Sequence, residues 1–200
     1  MFEIVLATTN SGKLLELRQV ASELPVNVRS LAEFEGLSEI EETGTTFQEN
    51  AVLKAVGYAR RLGMATIADD SGLEVDALGG RPGILSARHG GDVNYDLKIA
   101  TLLGEISEAA PHAARTARFK CSIALADANA NLIACVEENC EGTIADAPRG
   151  ANGFGYDPVF IPDGFDKTFG ELGTEIKQSI SHRSQAILAI IPYLRDFIAV

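Results

Sequence analysis

The stretch Phe2-Glu-Ile-Val-Leu-Ala-Thr-Thr-Asn-Ser-Gly-Lys13 sets how the rest of the chain is read. Its first half is a short apolar run with the character of a buried strand. The run breaks at Thr9-Asn10-Ser11-Gly12-Lys13, after which Leu14, Leu17, Ala21 and Leu24 recur at helical spacing until Pro25 stops them. A strand that turns directly into a helix is the opening of an α/β chain. The loop between them has its own chemistry. A helix N-terminus presents amide N–H groups and partial positive charge, Gly12 allows backbone to approach an anion closely, and Lys13 adds a point charge. The loop is not a Walker A sequence. An ordinary strand-to-helix turn has the same appearance, so this pattern alone leaves both readings open.

Working outward, Val26 to Leu31 reads as a second strand. Residues 30–53 carry Glu33, Glu35, Glu39, Glu41, Glu42 and Glu49 and no Lys or Arg. Thr46-Phe-Gln-Glu49 has capping-box form and opens a helix to about Leu62, with Val52, Ala55, Val56 and Ala59 on its apolar face and Gly63 at its end. Asn50 and Lys54 stand one helical turn apart and so share a face of that helix. Ala65 to Ala68 reads as a short strand that runs into Asp69-Asp70-Ser71-Gly72, which is good turn chemistry.

A Gly/Pro-rich loop follows, then a helix over 93–106. Alternation in Ala117, Phe119, Cys121, Ile123, Leu125 and again in Leu132, Ala134, Val136 predicts a long antiparallel hairpin around Asp127–Asn131. Tyr156 to Ile161 reads as a strand. Lys177 to Arg183 reads as the start of a last helix, capped by Ser181, with Ile187, Ile190, Ile191 and Leu194 on one face. Pro192 is expected to kink or end it. The sum is a mixed α/β protein, treated as one domain over residues 1–200.

Composition narrows the function. With 28 acidic against 17 basic side chains the net charge is −11. Sequence-independent nucleic-acid binding needs a basic stripe, and an anionic membrane surface needs the same, so neither is expected. Cys121, Cys135 and Cys140 form neither a disulfide framework nor a zinc spacing, which fits a reducing cytoplasm. No signal peptide is read at the N-terminus, and Ile187–Leu194 is too short to span a bilayer.

Three further constellations bear on chemistry. Glu41-Glu42 and Asp69-Asp70 supply the hard oxygen ligands that Mg²⁺ takes along with waters and substrate phosphates, and an Asp at a strand end is placed to accept a proton from water. Clustered acids also form solvated faces. Gly153-Phe154-Gly155-Tyr156-Asp157 offers an aromatic face to a base and an acceptor to its edge, or else fills the core. The Lys177–Arg183 cations at a helix start oppose the helix dipole, which points to a task for them. His89 and His112 fall in no usable motif.

Taken in order, Ala7–Lys13, Glu41–Gly44, Thr46–Ala55, Ala68–Leu73, Gly79–Gly83, Ser86–Arg88, Gly153–Pro158 and Ser181–Arg183 resemble the inosine-triphosphate pyrophosphatase family over nearly the whole chain. The resemblance implies an elongated central mixed sheet with helices on both sides, two lobes around a nucleotide cleft, and a homodimer. It implies Mg²⁺-dependent hydrolysis of ITP, dITP and XTP to the nucleoside monophosphate and pyrophosphate. Residue by residue, it makes Asp70 the proton acceptor and, with Glu41, a metal ligand. Thr8, Thr9, Asn10, Ser11, Gly12 and Lys13 match the triphosphate loop. Ser71, Phe154, Gly155, Tyr156, Asp157, Lys177, His182 and Arg183 match the other substrate contacts. Donors from Arg183 and Lys177 would meet the purine O6. Thr9 departs from a Gly common in the family, Tyr156 stands where some members have Trp, and Thr168–Glu175 matches loosely. A nucleotide sensor without turnover and a phosphatase releasing inorganic phosphate are the rival readings.

Overall fold

A computed structural model describes residues 1–109 and 115–199; His112 therefore lies outside the described residues. Six strands form one sheet: β1 (Phe2–Leu6), β2 (Val26–Ser30), β3 (Thr66–Val75), β4 (Thr116–Ala126), β5 (Leu132–Ile144) and β6 (Phe160–Pro162), in the order β2-β1-β3-β4-β5-β6. β1 pairs parallel with both β2 and β3, with Val5 opposite Thr66, whereas β6 pairs antiparallel with β5. The sheet is thus mixed, as the sequence predicts. Five α-helices accompany it among the described residues: α1 (Ser11–Val20), α2 (Phe47–Leu62), α3 (Tyr95–Ala109), α4 (Thr174–Ile180) and α5 (His182–Ile198).

The described residues pack as two units, and β3, β4 and β5 each contribute residues to both. The first unit comprises Met1–Asp70, Cys121–Glu138 and Arg183–Val200. Its larger core joins β1 and β3 to α1 and α5 through Ile4, Leu17, Ile67, Ile123, Ile190 and Leu194. A second, alanine-lined core packs Ala51, Ala55 and Ala59 of α2 on Ala68 of β3 and Ala124 and Ala126 of β4. The second unit comprises Ser71–Lys120 and Asn139–His182, around Leu73, Leu102, Phe119, Phe160 and Phe169.

Several expectations need correcting. Asp69-Asp70-Ser71-Gly72 is not a turn, because β3 runs straight through it to Val75. Local turn preference yields there to the sheet, in which β3 lies between β1 and β4. Tyr156 to Ile161 is only partly extended, since Asp157–Val159 form a 3₁₀ turn before β6. Lys177 does not open the last helix. It sits in the last turn of α4, where a cation favours the helix dipole. α5 runs past Pro192 to Ile198.

Candidate active site

In the first unit, β1 delivers the chain to the Thr8–Lys13 loop. The Thr8 hydroxyl accepts from the Asn10 N–H at 3.2 Å. Asn10 then caps α1, its Oδ1 accepting from the amides of Gly12 (2.8 Å) and Lys13 (3.3 Å). Those two donors, read in sequence as open to an anion, are thus engaged by the cap. Lys13 reaches out of the first turn to Asp69, with Nζ 2.7 Å from Oδ2.

Neighbouring strand residues point to opposite faces, and this separates the two aspartates. Asp69 follows Ile67 onto the α1/α5 face and is 6% exposed. Arg183, buried at the start of α5, brings its Nε to 3.5 Å from the same Oδ2 and an Nη to 3.9 Å from Glu16. Burial alone would push the Asp69 carboxyl up, but Lys13 and Arg183 overcome it and hold it far below the usual carboxylate range. Asp69 is thereby a buried, permanently ionised anchor for two cations, a role its sequence position did not announce.

Asp70 follows Ala68 onto the α2 face. Its Oδ1 lies 3.3 Å from Lys54 Nζ, and that ammonium donates to Glu42 at 2.6 Å. Here the balance goes the other way. Burial raises the carboxyl above its ordinary value, Glu42 adds to the rise, and Lys54 and the neighbouring Asn50 amide oppose it. Such a poised acid suits proton transfer. Asn50 itself is 2% exposed and its Oδ1 accepts from the Gly44 N–H at 2.9 Å. A side chain on Gly44 would lie 2.6 Å from Glu49 Cβ, so only glycine lets the acid-bearing segment pass this close to α2. Glu41, expected to share an ion with Asp70, is exposed, and the acid drawn in by Lys54 is its neighbour Glu42.

No group of three or more His, Cys, Asp or Glu side chains able to hold a metal is found among the described residues. The donor set nevertheless fits a magnesium-like ion, which typically takes one or two carboxylates and completes its shell with water and phosphate. Asp70 Oδ2 is the pertinent atom: it is buried and has no hydrogen-bond partner among the described residues.

In the second unit, Ser71 follows on β3, and the 153–157 loop is built around Asp157. That carboxylate is 2% exposed and accepts from the Phe154 N–H at 2.7 Å and from Lys177 Nζ at 2.5 Å. The close turn needs Gly153, at φ +75°, where a Cβ would fall 2.0 Å from Asp157 Oδ2. Phe154 is left 54% exposed, with the Lys177 ammonium 4.6 Å from its ring centre. Gly155 follows at φ +66°. Tyr156, by contrast, belongs to the core, its hydroxyl donating to Ser86 O at 3.2 Å. The His182 ring stacks on Phe119, with centroids 4.8 Å apart. His89 Nε2 lies 3.7 Å from Glu105 and joins none of these clusters.

The chain is thus a mixed α/β protein whose first unit carries a capped cationic loop and two adjacent acids, and whose second carries an exposed aromatic ring beneath an ammonium. A model of the Ham1 family matches residues 4–193, and the chain belongs to that family. It is 50% identical over 188 residues to the dITP/XTP pyrophosphatase of Geobacillus kaustophilus (strain HTA426), a match covering 94% of this chain and 91% of that protein. It is 45% identical over 188 residues to the dITP/XTP pyrophosphatase of Bacillus subtilis (strain 168), covering 94% of each. The solved structure of a HAM1 protein from Coxiella burnetii superposes with a TM-score of 0.89 at 42% identity, covering 98% of this chain and all of that one.

Proposed function

We propose that this protein hydrolyses the non-standard purine nucleotides dITP, XTP and ITP to the nucleoside monophosphate and pyrophosphate, with Mg²⁺ as cofactor. The relatives' names support the substrate class. The observation that carries the chemistry is Asp70, a partly buried carboxyl with a raised pKa beside Lys54, whose buried Oδ2 has no hydrogen-bond partner among the described residues.

In this reading Asp70 accepts the proton of the water that attacks the α-phosphorus. Asp70 and Glu41 would hold the divalent ion, which when bound supplies charge neutralisation on the phosphate oxygens. Thr8 to Lys13, with Lys54, carry the phosphate-handling role, and Ser71 contacts substrate. Most of the rate then comes from positioning and charge complementarity. At the base, the exposed Phe154 face stacks on the purine, with Gly155 and Asp157 beside it and Tyr156 holding the loop from the core side. Hypoxanthine and xanthine present an acceptor at O6 where adenine presents an amino donor. A cationic donor, Lys177 foremost with His182 and Arg183 as further contacts, favours the first and leaves adenine with unmatched donors. The family resemblance further suggests a homodimer, and the free cysteines suit the cytoplasm. No helix among the described residues is long and apolar enough to cross a membrane.

Asp70→Asn tests this directly. Turnover of dITP is expected to fall at least about 100-fold, the scale of a lost general base, while the dissociation constant for the nucleotide changes little. Near-normal turnover in that variant removes Asp70 from the mechanism.

A further inference from the structure

Lys98 has no part in the chemistry above, yet its side chain is spent in the interior of the second unit. It lies on α3, 5% exposed, and its ammonium donates to Ala87 O and Gly91 O, both at 2.8 Å. A buried cation satisfied by carbonyls alone is a costly choice at a helix position whose neighbours Ile99 and Leu102 are simply apolar core. What the two bonds accomplish is to fasten the 87–91 turn onto α3.

The same turn is gripped from its other end. Ser86 Oγ donates to Gly83 O at 2.6 Å and accepts from the Leu73 N–H at 2.8 Å. The Ser86 carbonyl in turn accepts from the Tyr156 hydroxyl. Tyr156 stands between Gly155 and Asp157, the residue that orients Phe154 and Lys177. A second route runs through Tyr95, one turn before Lys98. The Lys98 ammonium lies 5.8 Å from the Tyr95 ring centre. That ring packs edge-on against Tyr156 with centroids 5.6 Å apart, and a Cβ on Gly155 would lie 3.5 Å from it. Two chains of contact therefore lead from one buried ammonium to the back of the loop that carries the aromatic platform.

We propose that Lys98 is a positioning residue for the 153–157 loop: by fastening the 87–91 turn and Tyr95 it fixes Tyr156, and through it the geometry of Phe154 and Asp157. The functional half of this proposal rests on the reading of that loop as the purine site; the mechanical half does not.

The experiment compares wild type, Lys98→Met, Tyr156→Phe and Leu102→Ala by amide hydrogen exchange read by mass spectrometry, and by steady-state kinetics with dITP. Leu102 is fully buried on the same helix and serves as a control for general destabilisation. Lys98→Met is expected to speed exchange in both the 86–91 and the 154–157 segments. It should raise KM at least about fivefold with kcat held within about twofold, the signature of lost substrate positioning. Tyr156→Phe, which removes only the hydroxyl, should act in the same direction, and the double variant should add little to either. Leu102→Ala should lower the melting temperature without these effects. The proposal is overturned if Lys98→Met loosens 86–91 alone, if KM is unmoved, or if Leu102→Ala reproduces the pattern. Should Lys98→Met fail to fold, unchanged exchange at 86–91 in Tyr156→Phe overturns the linkage and faster exchange there supports it. Absence of dITP hydrolysis by wild type would defeat the functional reading, while exchange at 154–157 would still decide the mechanical one.

Discussion

Two adjacent aspartates on one strand are given opposite electrostatic lives by the alternation of side chains. Asp69 is buried among cations and kept ionised; Asp70 is partly buried beside one shared ammonium and another acid, and its proton is held more tightly. Removing Asp69 strands Lys13 and Arg183 without their buried counter-ion. Asp69→Asn is therefore expected to cost about 3–5 kcal/mol in urea unfolding at neutral pH, the scale of a broken buried pair. The sign of its pH dependence follows from the depressed carboxyl. Its stabilisation is in full effect above the ordinary carboxylate pKa and disappears as pH falls through the lower folded-state value. The difference between wild type and variant should thus shrink in acid. An equal stability at neutral pH would contradict the anchoring role.

At the scale of elements, the 153–157 loop depends on a turn tight enough for Asp157 to reach back to the Phe154 amide. Gly153→Ala places a methyl group into the Asp157 carboxylate and strains a positive φ. The expected outcome is a KM for dITP raised by about tenfold or more with a smaller change in kcat, since the aromatic platform and Lys177 lose their shared anchor. Kinetics indistinguishable from wild type would show that the loop's form does not matter. Most elements were legible in the residues. The 3.6-residue pattern of α2, its Thr46 cap and Gly63 exit, and the alternation through Phe119, Cys121 and Ile123 predict what is found, because those signals are local. The misread elements are those where distant partners decide. Asp69-Asp70-Ser71-Gly72 has the composition of a turn but is drawn into β3, where Lys13, Arg183 and Lys54 neutralise its acids. α4 is one short helix without a side-chain cap to mark its start, so the sequence pattern places Lys177 at the beginning of a helix when it lies in the last turn of one. For Asp70, Lys13 and Phe154 spacing alone leaves the bland readings open, and it is the order of motifs across the chain that marks them as candidates. Asp69's anchoring of two cations and the pairing of Glu42 with Lys54 arise only when β3, α2 and α5 are brought together.

For the whole molecule, a net charge of −11 opposes a polyanionic substrate, and the cations of the candidate residues do little to offset it. Lys13, Lys54 and Arg183 are each already paired with a carboxylate, so the cations alone offer a triphosphate little unspent positive charge. The divalent ion proposed at Asp70 would reverse that local balance. Chelation with EDTA should accordingly abolish turnover while leaving the fold's circular dichroism intact, and added Mg²⁺ should restore it; undiminished turnover in EDTA would refute a metal requirement. The proposed reaction is hydrolysis at the α-phosphorus of a non-standard purine triphosphate. It is tested most directly by turning over dITP and XTP, with ATP and GTP as controls, in ¹⁸O-labelled water and identifying the products by mass spectrometry. The account predicts pyrophosphate without label, nucleoside monophosphate carrying one ¹⁸O, and little reaction of the standard nucleotides. Inorganic phosphate with a nucleoside diphosphate, label in the pyrophosphate, or binding without turnover would contradict it.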